Sequence, residues 1–275
     1  MPEFLRRILN TRREARELKS VARFGCKVEH LRSASEVNLA EVFGSGELER
    51  EWRTIAPRLR PFDIPDGTGG VNPGDRRAIF YLTRYFKPRS VLEVGTHIGA
   101  STLHIAAALH DVQSLENQER PNFVSVDVCD VNDPLAQPWL RHGTRSSPVT
   151  MIDELGCGHF VRFVTDDSLD YLVGRQQKYD LIFLDGDHAA KTVYQEIPLA
   201  LDLLERDGLI LLHDYFPRLH PLWSDGAVIP GPCLAANRLR AEGAEFDVLP
   251  LGRLPWPTKL KSNITSLALL VRTSN

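Results

Sequence analysis

The chain has 275 residues, 43% hydrophobic and 25% charged, a composition that carries a sizeable packed core and excludes a disordered tail or a fibre. Its formal net charge of −3 argues against a protein built to coat nucleic-acid phosphates, and a small or uncharged substrate fits better. Cys26, Cys129, Cys157 and Cys233 form no Cys-x-x-Cys pair and read as reduced thiols; no run reaches the ~18 apolar residues of a membrane span and no cleavable leader is visible, so a cytoplasmic protein is expected.

From Phe4 to about Glu29, apolar residues (Phe4, Leu5, Ile8, Leu9, then Leu18, Val21, Ala22) recur at helical spacing among arginines and predict a basic amphipathic helix. Such a helix can lie on a membrane surface, but Glu14 and Glu17 dilute its charge. Packing against the body of the protein, or against a second copy in a homo-oligomer, is the expectation. A second helical patch runs from about Glu36 to Ala56, and Pro57, Pro61 and Pro65 then interrupt regular structure up to the glycine-rich turn at 67–70. Residues 1–66 are thus expected to be a helical extension and linker, and 67–275 the main domain.

Beyond Pro73 strands and helices alternate, which predicts a doubly wound, Rossmann-like α/β fold with a mostly parallel sheet. The order reads helix from about Asp75 to Phe86, strand Ser90 to Val94, helix Ser101 to Leu109, and strand Asn122 to Asp127. A short helix near Met151 to Leu155, strand His159 to Thr165, helix Ser168 to Leu172 and strand Tyr179 to Leu184 follow. Helix Ala190 to Leu204, strand Leu209 to His213 and a helix from about Gly231 to Glu242 come next. Segments Glu245 to Pro250 and Thr265 to Arg272 make a terminal pair expected to close the sheet antiparallel.

The stretch from Val91 to Thr102 passes from a buried strand through Gly95 and Gly99 into a helix that opens near Ser101. Glycines there let the backbone approach a ligand closely, and the free N–H groups of the helix start suit an anionic group. The spacing is G-x-x-x-G, not the G-x-G-x-x-G of dinucleotide-binding folds, which disfavours an NAD-dependent oxidoreductase. Glu93 stands two places before the first glycine.

An acidic strand end followed by this wider glycine spacing resembles the first motif of class I S-adenosylmethionine-dependent methyltransferases. The resemblance implies S-adenosylmethionine as cofactor, held by Glu93, Gly95, Thr96, Gly99 and Ser101. Asp127, at the end of the next strand, is the expected grip on two ribose hydroxyls, with Asp130 as runner-up. The resemblance also sets Asp167 or Ser168 beside the adenine; Asp166 or Asp167 could equally cap the following helix.

Asp185, Asp187 and His188 lie immediately past one apolar strand, and His213 and Asp214 past the next, where a parallel sheet lines its ligand crevice. Two carboxylates and a further donor at adjacent strand ends can hold an octahedral Mg²⁺. This pattern resembles the metal-dependent O-methyltransferases of small molecules, including the catechol type and those acting on macrolide sugars. The resemblance maps metal ligands to Asp185, His213 and Asp214, with Asp185 also at the cofactor, although His213 stands where the family has Asp or Glu. His188 is placed to act as general base toward a hydroxyl of a small-molecule acceptor. The alternatives are that His188 caps the next helix, that Asp187 orients it or meets the cofactor, or that a metal-independent N- or O-methyltransferase uses the acidic cluster only to shape its pocket. The segments Val71 to Asp75 and Leu212 to Tyr215 extend the resemblance, and Phe216 to Pro232 is long enough to form a substrate lid.

Overall fold

The computed structural model describes residues 3–67, 70–116 and 120–273, so part of the predicted glycine-rich turn (68–69) and residues 117–119, between the predicted helix ending at Leu109 and the strand starting at Asn122, lie outside the described residues. One seven-stranded sheet organises the chain: β1 (Ser90–Val94), β2 (Asn122–Asp127), β3 (Val161–Thr165), β4 (Tyr179–Leu184), β5 (Leu204–Leu212), β6 (Phe246–Pro250) and β7 (Ala268–Arg272). The strand order is β3-β2-β1-β4-β5-β7-β6. The first five strands are parallel, and β7 lies antiparallel between β5 and β6.

Alternate residues of the central strands feed two separate cores, as strands buried on both faces require. Val91, Phe123, Leu181, Phe183, Leu209 and Leu211 pack with α4 (Pro73–Phe86) and α5 (Ala100–Glu116) on one face. Their neighbours Leu92, Val124, Ile182, Leu184, Ile210 and Leu212 pack with α8 (Ala190–Asp202) and α9 (Gly231–Ala241) on the other. Two shorter helices, α6 (Pro148–Glu154) and α7 (Ser168–Leu172), flank β3 in sequence.

The N-terminal region is built into these same cores. Helix α1 (Glu3–Ser20) packs on α8 and α9 through the buried Leu18, while Arg238 of α9 binds the carbonyls of Leu18 and Val21. Because α9 takes those carbonyls, the predicted helix to Glu29 ends at Ser20, and the chain continues extended to bridge Leu31 with Gly208 beside β5. The helix predicted over 36–56 is two: α2 (Leu39–Gly44) and α3 (Gly46–Leu59), broken at Ser45, whose hydroxyl accepts from the Leu48 amide and caps α3. Trp52 meets Phe80 edge-on at 5.4 Å and Arg84 pairs bidentately with Glu51 at 2.6 and 2.7 Å, fastening α3 to α4. Arg76 in turn binds the carbonyls of Ile64, Pro65 and Val71, folding the proline-rich linker onto the domain.

Helix α5 outruns its expected end at Leu109, with 112–116 continuing the helix, and β5 starts five residues before the expected Leu209. The antiparallel terminal pair stands where it was expected. Among the described residues no helix is long and apolar enough to cross a membrane.

Candidate functional site

Backbone pairing aligns Val94 with Val126 on one side and with Leu184 on the other, and aligns Leu184 with Leu212. The residue after each, Gly95, Asp127, Asp185 and His213, therefore leaves the sheet along one rim. Strand β1 connects to β2 on one side and neighbours β4 on the other, so the chain reverses direction across the sheet here, the position where open α/β sheets form a crevice. A cavity of about 740 Å³ lies over this rim.

Gly95 has φ +98°, and a Cβ on it would come within 2.2 Å of the Asp185 carbonyl oxygen. Gly99, at φ +75°, faces Pro148 of α6 at 3.0 Å. Each glycine admits another segment of the chain, and Gly95, expected to admit a ligand as Gly99 was, also lines the cavity. Thr96, His97, Ala100 and Ser101 line it at the start of α5.

Asp127 is held in place by two amides: His97 N–H donates to Oδ2 at 2.8 Å and Cys129 N–H to Oδ1 at 2.9 Å. It faces the cavity, whereas Asp130 accepts from Asn132 in its own loop and does not line it. Asp167 accepts from Leu169 and Asp170, capping α7, and still lines the cavity beside Asp166 and Ser168. The cap and the ligand-facing position belong to the same side chain.

Glu93 sits one layer deeper, opposite Ser125, fully buried and off the cavity wall. It accepts from Thr102 Oγ1 at 2.5 Å and Ser125 Oγ at 2.6 Å, so it ties the first turn of α5 to β2 from below. Burial pushes its pKa up to about 7 against the pull of the Ser101, Ser125 and Thr102 hydroxyls, with the charge of Asp185 adding to the rise. The adjoining His97, at φ +48°, sets its ring edge-on to His142 at 4.3 Å; burial and His142 lower its pKa.

At the other end of the rim, Asp185 and His188 line the cavity and converge with His213 and Asp214. His188 Nε2 lies 3.4 Å from Asp214 Oδ2 and 3.8 Å from Asp185 Oδ1. The first turn of α8 is capped by other groups: Asp187 accepts from Ala189 N–H at 3.0 Å and Thr192 Oγ1 at 2.6 Å, and Glu14 of α1 accepts from Ala190 N–H at 2.8 Å. His188 is therefore not a cap, and Asp187 spends its oxygens on the helix instead of on His188. The start of α9 presses on the same loop, since a Cβ on Gly231 would fall 1.8 Å from the His188 carbonyl oxygen.

His213 is nearly enclosed. Its Nδ1 lies 2.8 Å from Asp185 Oδ1 and 3.7 Å from Asp214 Oδ1, and its Nε2 lies 3.4 Å from Asp75 Oδ2, though neither nitrogen makes a well-aligned hydrogen bond. Burial alone would push its pKa down, but the charges of Asp185 and Asp214 and the contacts with Asp185 and Asp75 outweigh it and lift the pKa well above the ordinary imidazole value.

Residues 92–215 match the family model described as a methyltransferase domain. Solved structures of similar shape include the O-methyltransferase TomG from Streptomyces achromogenes, involved in tomaymycin synthesis and bound to S-adenosylmethionine, at 17% identity and a TM-score of 0.52, over 84% of this chain and 91% of that one. An O-methyltransferase from Bacillus cereus with S-adenosylhomocysteine gives 17% and 0.52 over 87% and 98%. The Podospora anserina methyltransferase PaMTH1, also bound to S-adenosylhomocysteine, gives 18% and 0.51 over 84% and 89%. At these identities the likeness is one of fold. No curated protein matches the chain in sequence.

The resemblance drawn from the motifs implies a metal at this rim, and the donor set does not fit one. Among the described residues no three His, Cys, Asp or Glu side chains are grouped so as to hold a metal ion. The ring at the second ligand position turns both nitrogens toward carboxylates, which leaves no nitrogen facing open space. Two residues of the domain's surroundings escaped the sequence reading. Asp75, fully buried, was read as a helix start and as the end of the Val71–Asp75 segment but not as a site residue; Asn72 accepts from its amide and donates to its Oδ2 at 2.6 Å. Glu14 was legible only as a charge diluting a basic helix.

Proposed function

We propose that the chain is an S-adenosylmethionine-dependent O-methyltransferase acting on a hydroxyl of a small molecule of the sugar or natural-product type. The observation that carries this reading is the single rim of Gly95, Asp127 and Asp185 beneath a cavity of about 740 Å³ that ends at His188. Residues 67–275 act as the catalytic domain in this reading, with 1–66 an extension packed on it.

Asp127, already fixed by two amides, offers its remaining lone pairs to the two ribose hydroxyls. Thr96 and Ser101 at the start of α5 receive the amino-acid end, and Asp167 and Ser168 border the base. Glu93 supports that turn from below. When bound, S-adenosylmethionine supplies a methyl group already activated on a sulfonium, so the protein's task is alignment and proton removal. His188 Nε2 takes the acceptor hydroxyl proton, and Asp214 and Asp185 orient the ring and stabilise its cationic form. The orientation of His213 favours transfer without a metal over the magnesium-assisted version, and no step here depends on an ion.

Calorimetry of the full chain with S-adenosylhomocysteine tests the reading. Saturable binding that Asp127→Ala weakens is the expected result; binding of NADH in its place would move the chain to the oxidoreductases.

A further inference from the structure

A second cavity, of about 550 Å³, lies between α1 and the loop that follows β5, and the methyl-transfer reading leaves it without a role. Its walls are Arg6, Arg7, Leu9, Asn10 and Arg13 on α1 and Ala227–Val228 on the loop. Positions 6, 10 and 13 fall on one face of a helix, so their side chains reach the cavity together. In a chain of net charge −3, α1 carries six cationic residues against three acidic ones, and the cavity concentrates three of its guanidinium groups. Arg13 is partly occupied by Asn10 Oδ1 at 2.8 Å, Glu14 at 3.4 Å and Glu17 at 3.9 Å; Arg6 has no acidic partner among the described side chains.

Both walls are fixed. Phe216 and Trp223 pack edge-on at 5.6 Å, Trp223 Nε1 donates to the Ile264 carbonyl at 3.1 Å, and Lys259 covers the Trp223 ring at 3.8 Å. On the other side, Glu14, the residue after Arg13, binds the Ala190 amide two residues past His188. From Arg13 back to Arg6 is seven residues, about 10 Å of helix. The cavity thus begins one residue from Glu14, the group that fastens α1 to the loop carrying His188.

We propose that this cavity binds the anionic group, a carboxylate or phosphate, of the methyl acceptor through Arg6 and Arg13, so that the substrates are hydroxylated anions and not neutral sugars. The proposal rests on the methyltransferase reading and names its substrate class. Guanidinium pairs recognise such groups through forked, charge-assisted hydrogen bonds.

The test titrates the full chain, saturated with S-adenosylhomocysteine, with inorganic phosphate at constant ionic strength held by NaCl. Phosphate should bind at one site, with affinity at least tenfold lower in Arg6→Ala/Arg13→Ala and restored at least in part in Arg6→Lys/Arg13→Lys, while S-adenosylhomocysteine affinity stays within twofold. In methyl transfer to 4-hydroxybenzoate and 4-hydroxybenzyl alcohol, the double alanine variant should raise KM for the anion and leave that of the neutral analogue unchanged. Phosphate binding that is absent or indifferent to both variants overturns the proposal. So does arginine-dependent binding to phosphatidylglycerol vesicles without phosphate binding, which would make α1 a lipid-surface helix. Loss of S-adenosylhomocysteine binding in the unmodified chain would instead sink the methyltransferase reading.

Discussion

The two ends of the rim obey different rules. At the cofactor end the key residues are placed mainly by strand register: Gly95 and Asp127 emerge level because parallel pairing aligns Val94 with Val126, and the His97 amide ties the turn after β1 to Asp127. At the acceptor end the placement is collective. His213 is enclosed by Asp75 from α4, Asp185 from β4 and its own neighbour Asp214, and the loop of His188 is clamped by Glu14 from α1 and by Gly231 of α9. Strand register can be inherited with a fold, whereas a cluster assembled from five segments can be retuned one residue at a time.

The comparison breaks most sharply at Gly95. A side chain there meets the Asp185 backbone at 2.2 Å and forces the two ends apart, so Gly95→Val should abolish S-adenosylhomocysteine binding and cost ~3 kcal/mol or more in urea unfolding. At the acceptor end, His188→Ala should lower the rate of methyl transfer by roughly 10²–10⁴ with cofactor affinity unchanged in calorimetry. An equal fall in both would show that the ends are not separable. Asp127→Ala should weaken S-adenosylhomocysteine by about 10–100-fold, ~1.4–2.8 kcal/mol, without unfolding the chain.

A smaller effect distinguishes the ends by metal. Dialysis against EDTA should leave cofactor binding unchanged, and Mn²⁺ followed by its paramagnetic resonance should bind His213→Asp but not the unmodified chain; tight Mn²⁺ binding by the latter that Asp185→Asn removes would restore the ion to the mechanism. The smallest effect is in stability against pH. The folded-state pKa of Glu93, about 7, lies above its ordinary 4.5, so the folded chain holds the extra proton between those values and stability falls as pH rises through that window. Between pH 5 and 7.5 the Glu93→Gln variant should lose less stability than the unmodified chain, by ~1–3 kcal/mol in melting experiments; Glu196, raised to about 7, and His213 add to the unmodified chain's fall, whereas the buried His104, lowered to about 3, opposes it in both.

What could be read in advance follows the same division. Strands β1, β2 and β4 and helix α7 lie within their expected bounds because unbroken apolar runs and turn residues are local signals. Asp127 was legible for the same reason. Glu14 was not, because the amide it caps lies 176 residues away, and no local pattern marks such a partner. Asp75 was hidden similarly: its sequence context gives a helix start, and only the fold brings it to His213. The cap or ligand ambiguity at Asp167 was physical, since the side chain does the first and faces the second.

The placement of β7 has a bearing on biogenesis. The strand that separates β5 from β6 is synthesised after both, so until it arrives each waits without this neighbour, its backbone amides and carbonyls on that side unsatisfied. Arg272 also donates its amide to the Arg32 carbonyl, stitching β7 to the segment that follows α1. Insertion of one short strand thus finishes the sheet and locks down the arginine-bearing helix in the same event. A nascent chain halted before it would present a sticky, unfinished edge to chaperones and to its own copies.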